Sequence, residues 1–584
     1  MSTSQSPAQP PAQPPAQPRT LAAQHPNAPL SPVPGSRAYR CLQLQVIKET
    51  LAAMPEPSPG RREPYAKMKE AIDKWSQAIT LGEAHIAQLG PRVNFAFLRT
   101  TLQFQVNRML VYWRMFRFID LPPEIISNIF HLIVWSASHP LEGVKQRLHL
   151  TWVCRAWRRI MTEDPMIWNA IWFHDVPPFE RSWVWFERAG SARLDIRLNE
   201  VDPELTNLKD APKFTAQQMS DMLDRLFTKL SQIRMLVVIV DDWPPALTVL
   251  QKLQTAGNAG TPINIERLEI HRSGMPYIWI GPGFDTQGHR DPAVLFGGQT
   301  QRLQYLCLSG IHIDFNDTPL SNLTTLDLRH IAMESSPTLR RFREVLQNCP
   351  NLDKLTLDGC GPQPEERWFE HAPVELPNLK IFTLGSFNLS FACFIVAQVN
   401  APRVRDLTLM TLTGGDYTPL IGMLTRKFTQ VRILTLYNVH LEMNTLGKWT
   451  FIRWLDTMPE IGYARLARIK PEILNLFGEN PLNYRKPSEK LAVSEGAPPG
   501  RHVLCPKFQC MEVQSLSPGT IAEFCRRRKG VGIPMKKMYL NTPWAEGLTQ
   551  EHVELLRQEA PLYIAPVGTN TAEENMLLSE GWDV

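Results

Sequence analysis

The sequence predicts a small helical segment followed by a long solenoid of the α+β or α/β class. One observation is an apolar pattern with helical spacing between about residues 120 and 170. The other is a six-residue apolar pattern that recurs, over much of the remaining chain, at intervals of about 20 to 30 residues. At 584 residues the chain is too long for a single ordinary core, so we expect several domains.

The composition is that of a globular protein rather than a disordered one: 43% of the residues are hydrophobic and 20% are charged. The net charge of +5 is small for this length and favours neither nucleic acid nor a membrane as the main partner. The first residues carry no signal-peptide pattern, and no apolar run approaches the ~20 residues that span a bilayer. Nine scattered cysteines then predict a reducing compartment, cytoplasmic, nuclear or both.

The N-terminal part divides into two stretches. Residues 1–36 are rich in Pro, Ala and Gln and lack large apolar side chains, so we expect a disordered tail. In residues 37–115 apolar side chains such as Ile72, Trp75 and Ile79 fall at helical spacing. We expect an amphipathic helical lead-in that packs on the following domain.

The recurring pattern is Leu-x-x-Leu-x-Leu or a close variant of it. Six successive copies start at Leu303, Leu323, Leu352, Leu379, Val404 and Val431, and weaker copies start at Ile233, Ile265, Phe508 and Met535. The spacing is typical of leucine-rich repeats, in which each copy supplies one short strand. A lone strand of this kind cannot bury its apolar face, so neighbouring units stack. Unrelated α/β strands are the alternative interpretation, and six ordered copies favour the repeat over it.

Between copies the sequence contains helix-like stretches, for example Leu339, Phe342, Val345 and Leu346 after a Ser-Pro start. We expect the irregular solenoid to cover residues 174–560, with an insertion near 440–500 and a C-terminal tail at 561–584.

Residues that alternate with the inward leucines face the other side of a strand. The side chains at these positions are a mixture of Thr, Asp, Arg and Tyr, which suits a protein or peptide ligand. The candidate residues are Asp327, Arg329, Thr356, Asp358, Thr408, Met410, Thr435 and Tyr437. An ordinary solvated strand face is the alternative interpretation.

The helical segment has a recognisable order of features. Leu121 and two prolines precede an apolar stripe with Glu124 in its first turn, where the helix dipole favours a carboxylate. A second stripe follows at Val153, Trp157 and Ile160, and Asp164-Pro165 then precedes Trp168. These are the spacings of a small helical core.

The ordered features Leu-Pro-x-Glu, Ile-Phe, Val-Cys-Arg-x-Trp-Arg and Asp-Pro-x-x-Trp resemble the F-box, here over residues 116–173. The whole layout resembles fungal F-box proteins with diverged leucine-rich repeats. The resemblance implies the substrate-recognition subunit of an SCF-type ubiquitin ligase, which docks on a Skp-type adaptor and through it on a cullin scaffold. The adaptor-binding residues that it implies are Leu121, Pro122, Glu124, Ile125, Ile129, Phe130, Leu150, Val153 and Trp157.

One stretch departs from the F-box pattern. Residues 136–150 are longer than the usual connection by roughly seven residues, which puts the middle helix in doubt. The alternative function is therefore a leucine-rich-repeat scaffold with a degenerate F-box outside any ligase. We find no phosphate-binding loop, hydrolase elbow or zinc motif, so we expect no catalysis, cofactor or metal.

Overall fold

A computed structural model describes residues 121–137, 140–200, 213–273, 292–480, 503–565 and 570–579, with five isolated positions before residue 121. The predicted tail (1–36) and helical lead-in (37–115) lie outside the described residues, apart from those positions. The chain divides into two compact units, Met1–Ile129 and Phe130–Val584.

The second unit is mixed α/β and contains one parallel sheet of 14 strands. Two further short strands, β8 and β10, pair with each other in a small parallel sheet. The strands are β1 Ala170–Phe173, β2 Leu194–Asn199, β3 Ile233–Val240, β4 Arg267–Arg272, β5 Tyr305–Ser309, β6 Thr325–Arg329, β7 Lys354–Asp358, β8 Val374–Glu375, β9 Ile381–Gly385, β10 Val399–Asn400, β11 Asp406–Leu412, β12 Ile433–Val439, β13 Tyr463–Ala467, β14 Cys510–Gln514, β15 Lys537–Leu540 and β16 Leu562–Ile564.

Helices precede the sheet and connect most of its strands. They are α1 Pro123–Trp135, α2 Pro140–Val153, α3 Arg155–Glu163, α4 Pro165–Trp168, α5 Glu180–Arg188, α6 Ala216–Leu226, α7 Trp243–Asn258, α8 Leu339–Gln347, α9 Leu389–Gln398, α10 Thr418–Leu424, α11 Thr445–Asp456, α12 Pro471–Leu476, α13 Pro518–Gly530, α14 Thr542–Glu546, α15 Gln550–Glu559 and α16 Ala572–Leu578. None of the helices in the described ranges is long and apolar enough to cross a membrane.

Strands of the large sheet lie side by side in their order along the chain. This solenoid-like order follows from the recurring pattern, because the second and third apolar residues of each copy are buried on one face of the sheet. Leu326, Leu328, Leu407 and Leu409 are all at most 1% exposed. Just before most of these strands, a backbone N–H donates to the preceding unit, as from Arg405 to the carbonyl of Lys380 at 2.8 Å. The predicted mixed α/β class is confirmed.

The predicted helix between the second and third strands of the strong copies forms as α8. Leu339, Phe342, Val345 and Leu346 are buried in it. Its N-cap is Thr338, whose hydroxyl accepts from the N–H of Arg341 at 3.2 Å.

A backbone turn with positive φ follows many of the strands. It is occupied by Gly310 and Gly359 after β5 and β7, but by His330 and Arg468 after β6 and β13. Residues with a Cβ adopt this left-handed conformation at some cost, so the turn is imposed by the stacking of the units.

The sheet has strands outside the predicted solenoid range, 174–560, and one strand inside the predicted insertion, 440–500. Strand β1 lies within residues 116–173 and pairs with β2, and β13 lies within the predicted insertion at 440–500. Strand β16 and helix α16 lie within the predicted tail at 561–584. Strand β13 escaped detection because alanine, at Ala464, replaces the usual leucine at an inward position.

The middle of the helical segment also differs from expectation. Residues Pro140–Val153 form helix α2, although the long stretch at 136–150 had put a middle helix in doubt. The helix ends at Val153, and Cys154 caps α3 by accepting from the N–H of Trp157 at 3.4 Å. The predicted stripe Val153, Trp157, Ile160 is therefore shared between two helices, a break that apolar spacing alone does not reveal.

Candidate interaction surfaces

The end of the first unit carries five of the predicted adaptor-binding residues. Leu121 and Ile129 are half-buried there, whereas Pro122, Glu124 and Ile125 are exposed, Ile125 at 45%. The N–H of Ile125 donates to the carbonyl of Pro122 at 3.0 Å, and Pro123 is the first residue of α1, so the two prolines lie at the start of the helix as predicted.

The second unit carries the other four predicted adaptor-binding residues, and these differ in how far they are buried. Phe130 is fully buried and its ring lies 4.8 Å from that of half-buried Trp157. Leu150 is also buried, whereas Val153 is 58% exposed. Phe130 and Leu150 therefore hold the helices together and cannot contact a partner directly in this conformation. Val153 is available for contact.

Further apolar side chains of this unit are exposed that the sequence did not single out. Leu132 is 72% exposed, Trp135 49%, Trp152 65% and Met166 50%. Of the 15 large apolar side chains that are exposed in the described ranges, six belong to α1–α4 when Ile125 and Val153 are included. The signal in the sequence is that α1 is apolar on more than one side, which a helix packed on one face does not need.

Polar contacts fix the geometry of these helices. His131 Nε2 lies 2.9 Å from Asp164 Oδ2, and Asp164 Oδ1 accepts from the N–H of Met166 to cap α4. The buried indole of Trp168 donates to the carbonyl of Met161 at 2.7 Å. The exposed side chains therefore stand on an ordered scaffold.

Arg147 links this scaffold to the start of the sheet. Its Nε donates to the carbonyl of Ile167 at 2.7 Å, and its guanidinium lies over the rings of Trp135 and Trp185 at 5.3 and 5.4 Å. Burial lowers the pKa of Arg147 to about 10, so it remains charged at neutral pH. Beside it, a cavity of about 500 Å³ is also lined by Arg197 and Glu269.

The second candidate surface is the side of the sheet opposite the inward leucines. We call it the ladder face. Its central row is in register across the strands and comprises Glu269, Cys307, Asp327, Thr356, Thr383, Thr408, Thr435, Arg465, Glu512 and Tyr539.

All eight predicted substrate-binding residues lie on β6, β7, β11 and β12, on the ladder face. Arg329, Thr408, Met410, Thr435 and Tyr437 are half-buried. The expectation of an exposed side chain is wrong for the other three: Asp327, Thr356 and Asp358 are at most 5% exposed.

Neighbouring side chains explain this burial. Strands lie about 4.8 Å apart, so longer residues on adjacent strands cover short ones. Asp327 accepts from Arg329 Nε at 2.7 Å and lies 3.3 Å from Lys354 Nζ. These contacts screen its carboxylate from solvent.

Donor atoms that suit a metal ion meet at one point of the ladder face. Glu269, His271 and Cys307 each offer one atom, and the three atoms lie within 4.8 Å of one another. Burial raises the pKa of Cys307 to about 12, and the carboxylates of Asp327 and Glu269 add to the effect. Burial alone would raise the pKa of Glu269, but contacts with His271 and Arg267 outweigh it and lower the pKa. The group is thus an ion-pair cluster with a protonated thiol.

The same cluster does not have the geometry of a cysteine nucleophile and its base. His271 Nε2 lies 3.9 Å from Cys307 Sγ and 3.0 Å from Glu269 Oε2, so a single nitrogen faces both groups. A catalytic triad needs the two ring nitrogens of histidine for the two partners.

Part of the ladder face is covered by the chain itself. Helix α16 lies against residues of β13 and β15, where Arg465 Nε donates to Glu574 at 2.6 Å and Tyr539 donates to Glu573 at 2.6 Å. The sequence gives a local signal for this helix, a capping box from Thr571 to Glu574, but none for where the helix docks.

Comparison with known proteins adds no relative. No protein-family model matches the chain, and a search of curated proteins finds no significant match.

Proposed function

We propose that the protein is the substrate-recognition subunit of an SCF-type ubiquitin ligase, in which α1–α4 dock on a Skp-type adaptor and the ladder face binds a protein substrate. The observation that supports this most is the concentration of exposed apolar side chains in α1–α4, within the segment that resembles an F-box. Exposed apolar groups that cluster on an ordered scaffold are typical of a protein-binding surface.

The proposed function is binding without catalysis. By resemblance, Leu121, Pro122, Glu124 and Ile125 of the first unit contact the adaptor. In the second unit Val153 contributes directly, and Trp157 contributes by packing on Phe130. Trp152, which is 65% exposed in the free protein, joins this set. Aromatic side chains that become buried on binding dominate the free energy of such interfaces.

Substrate presentation is assigned to the ladder face. Its half-buried residues Arg329, Thr408, Thr435 and Tyr437 supply donors, acceptors and apolar area from strands β6, β11 and β12. A surface of this mixed character suits a polypeptide segment better than a small apolar ligand.

The second candidate is a repeat scaffold outside any ligase. It is favoured by one observation: Phe130 and Leu150, which the resemblance assigns to adaptor contact, are buried within the protein itself. The long stretch at 136–150 belongs partly to α2 and changes the spacing between the Ile-Phe and Val-Cys-Arg-x-Trp-Arg features of the F-box resemblance.

Co-expression of the full chain with a Skp-type adaptor, followed by size-exclusion chromatography with light scattering, tests the assignment. We expect a 1:1 complex. Leu121→Ala with Pro122→Ala, and separately Trp152→Asp with Val153→Asp, should abolish it. Phe369→Asp is the matched control, because Phe369 is 68% exposed but lies far along the sequence from α1–α4. A folded wild-type protein that forms no complex would make the scaffold the better assignment.

A further inference from the structure

Helix α16 runs backwards over the sheet. The last strand, β16, pairs with β15 at the end of the sheet, yet α16 contacts β15, then β13, then the residues just before β12 and β11. A helix that served only to cap the sheet would cover its terminal strand. Helix α16 instead covers part of the ladder face.

The two adjacent glutamates of α16 make its strongest contacts. Glu573 forms an ion pair with Lys537 and accepts from the hydroxyl of Tyr539. Glu574 is 2% exposed and pairs with Arg465. Arg465 also donates to Thr435 at 3.0 Å, so one guanidinium joins β12 and β13 to the docked helix.

The C-terminal end of α16 is held by two more cations and by apolar packing. Arg432 donates to the carbonyl of Leu577 at 3.3 Å, and Arg405 donates to that of Leu578 at 3.4 Å. Cations at the last carbonyls of a helix stabilise it. Leu577 and Leu578 pack against the buried cluster that contains Tyr463.

Gly462 leaves the room that Leu577 needs. A Cβ at Gly462 would lie 3.1 Å from Leu577 Cδ2, which is tighter than an ordinary contact. The surface is thus complementary to an acidic pair followed, three to four residues later, by an apolar pair.

Helix α16 does not use the whole of this surface. A cavity of about 700 Å³ lies beside Glu573 and Leu577, and Arg432, Lys507, Lys536 and Lys537 line it. Two carboxylates, those of Glu460 and Glu573, also line it, and Lys507 pairs with Glu460 at 2.6 Å. The lining of the cavity therefore carries more cations than carboxylates, which favours an acidic segment over a basic one.

We propose that the ladder face from β11 to β15 is a docking surface for short acidic–apolar peptide segments, and that residues 571–579 of the chain itself occupy it until such a segment displaces them. Charged Glu573 and Glu574 and apolar Leu577 and Leu578 define the pattern that a partner must carry. The docking surface itself does not depend on the proposed function. Only the identification of the partner as the ligase substrate rests on that function.

Displacement is physically accessible because α16 is short and partly solvated. It has seven residues, and the side chains of Ala572, Asn575 and Met576 are exposed. A tethered segment competes at high effective concentration, so a free peptide binds more tightly once the segment is released.

A labelled peptide of residues 570–580 and the full-length chain provide the test, read by fluorescence anisotropy. Leu577→Asp should release α16 and tighten peptide binding by about tenfold or more relative to wild type. Asn575→Asp places the same charge on an exposed position and should bind the peptide as weakly as wild type. A peptide with both glutamates changed to lysine, or Arg465→Glu in the Leu577→Asp background, should lose binding.

If folded Leu577→Asp binds the peptide no more tightly than wild type, α16 is a permanent part of the fold and the proposal fails. If Leu577→Asp does not fold, amide hydrogen exchange of the wild-type protein tests whether the peptide displaces α16. Excess unlabelled peptide should accelerate amide exchange in α16, and unchanged exchange would overturn the proposal. Adaptor binding is measured on the same samples. Peptide binding without adaptor binding would remove the ligase assignment but leave the docking surface standing.

Discussion

Arg465 on β13 and Glu574 on α16 form a partly buried ion pair between residues that lie 109 positions apart in the sequence, with Nε 2.6 Å from Oε1. The other carboxylate oxygen of Glu574 accepts from the N–H of Thr571, which caps α16. The carboxylate therefore both starts the helix and attaches it to the ladder face. Without α16, the guanidinium of Arg465 would remain half-buried on the sheet and would lack the carboxylate of Glu574.

Removal of Glu574 should therefore destabilise the C-terminal part of the protein. We expect Glu574→Ala to lower the free energy of unfolding by about 2–4 kcal/mol, because Arg465 loses its nearest carboxylate and keeps only that of Asp406, at 3.7 Å. Asn575→Ala, at an exposed position of the same helix, should change it by less than about 0.5 kcal/mol. Urea denaturation measures both, and a double-mutant cycle with Arg465→Met isolates the pair. Equal effects of the two alanine variants would contradict the structural role of the ion pair.

The sequence predicted the repeating part of this fold because leucines at a fixed period must share one buried face, as Leu326, Leu328, Leu407 and Leu409 do. It could not show β13, whose inward Ala464 is too small to stand out. Nor could it show where α16 docks, since a capping box reports only on its own helix.

For a similar reason, the sequence predicted where some residues of the candidate sites lie but not how far they are buried. Alternation along a strand placed Asp327 and Thr356 on the ladder face, but their burial depends on neighbouring strands that the pattern does not describe. The segment that resembles an F-box was found from its motif, whereas exposed Leu132 and Trp152 belong to no motif. Their exposure appears only once the packing of α1 and α2 is known.

A basic run on α13 contains one buried cation. Arg526, Arg527 and Lys529 are exposed, whereas Arg528 is fully buried. Its guanidinium donates to the carbonyls of Leu504 and Phe508, each at 2.8 Å, and also to those of Phe477 and Cys505.

Arg528 should consequently be important for stability. We expect Arg528→Ala to lower the free energy of unfolding by about 3 kcal/mol or more, because buried carbonyls lose their donor and a cavity is left. Arg527→Ala is the control: Arg527 pairs with Glu523 at the surface, and its loss should cost less than about 0.5 kcal/mol. Thermal unfolding compares them, and similar midpoints for the two variants would rule out the buried role.

Exposed and buried apolar residues of the helical segment should respond in opposite ways. Leu132→Asp with Trp152→Asp should reduce concentration-dependent self-association of the isolated chain, because exposed apolar area drives it. Stability should change by only about 0.5 kcal/mol. Phe130→Ala should instead cost about 3–5 kcal/mol, since Phe130 is fully buried against Trp157. Sedimentation velocity and urea denaturation separate the two effects. Destabilisation by the aspartates would mean that Leu132 and Trp152 are packed.

Asp406 on β11 predicts a specific pH dependence. Burial raises its pKa to about 6, although the charge of Arg465 opposes the rise, and Glu574 adds to it. The folded state then binds a proton more tightly than the unfolded state does, whose carboxyl has an ordinary pKa of about 4. The contribution of Asp406 to stability is present below pH 4 and is lost as the pH rises towards 6, by on the order of 2 kcal/mol.

The comparison of Asp406→Asn with wild type tests this dependence, since the asparagine does not titrate. The free energy of unfolding of wild type relative to the variant should fall as the pH rises from about 4 to about 6, and stay level above that range. Asp416 is the control of opposite sign. Burial would raise its pKa, but hydrogen bonds from Thr418 and from the N–H of Glu442 outweigh burial and lower it. Relative to Asp416→Asn, wild type should lose stability as the pH falls below about 4, and parallel curves for both variants would show that neither carboxyl is perturbed by folding.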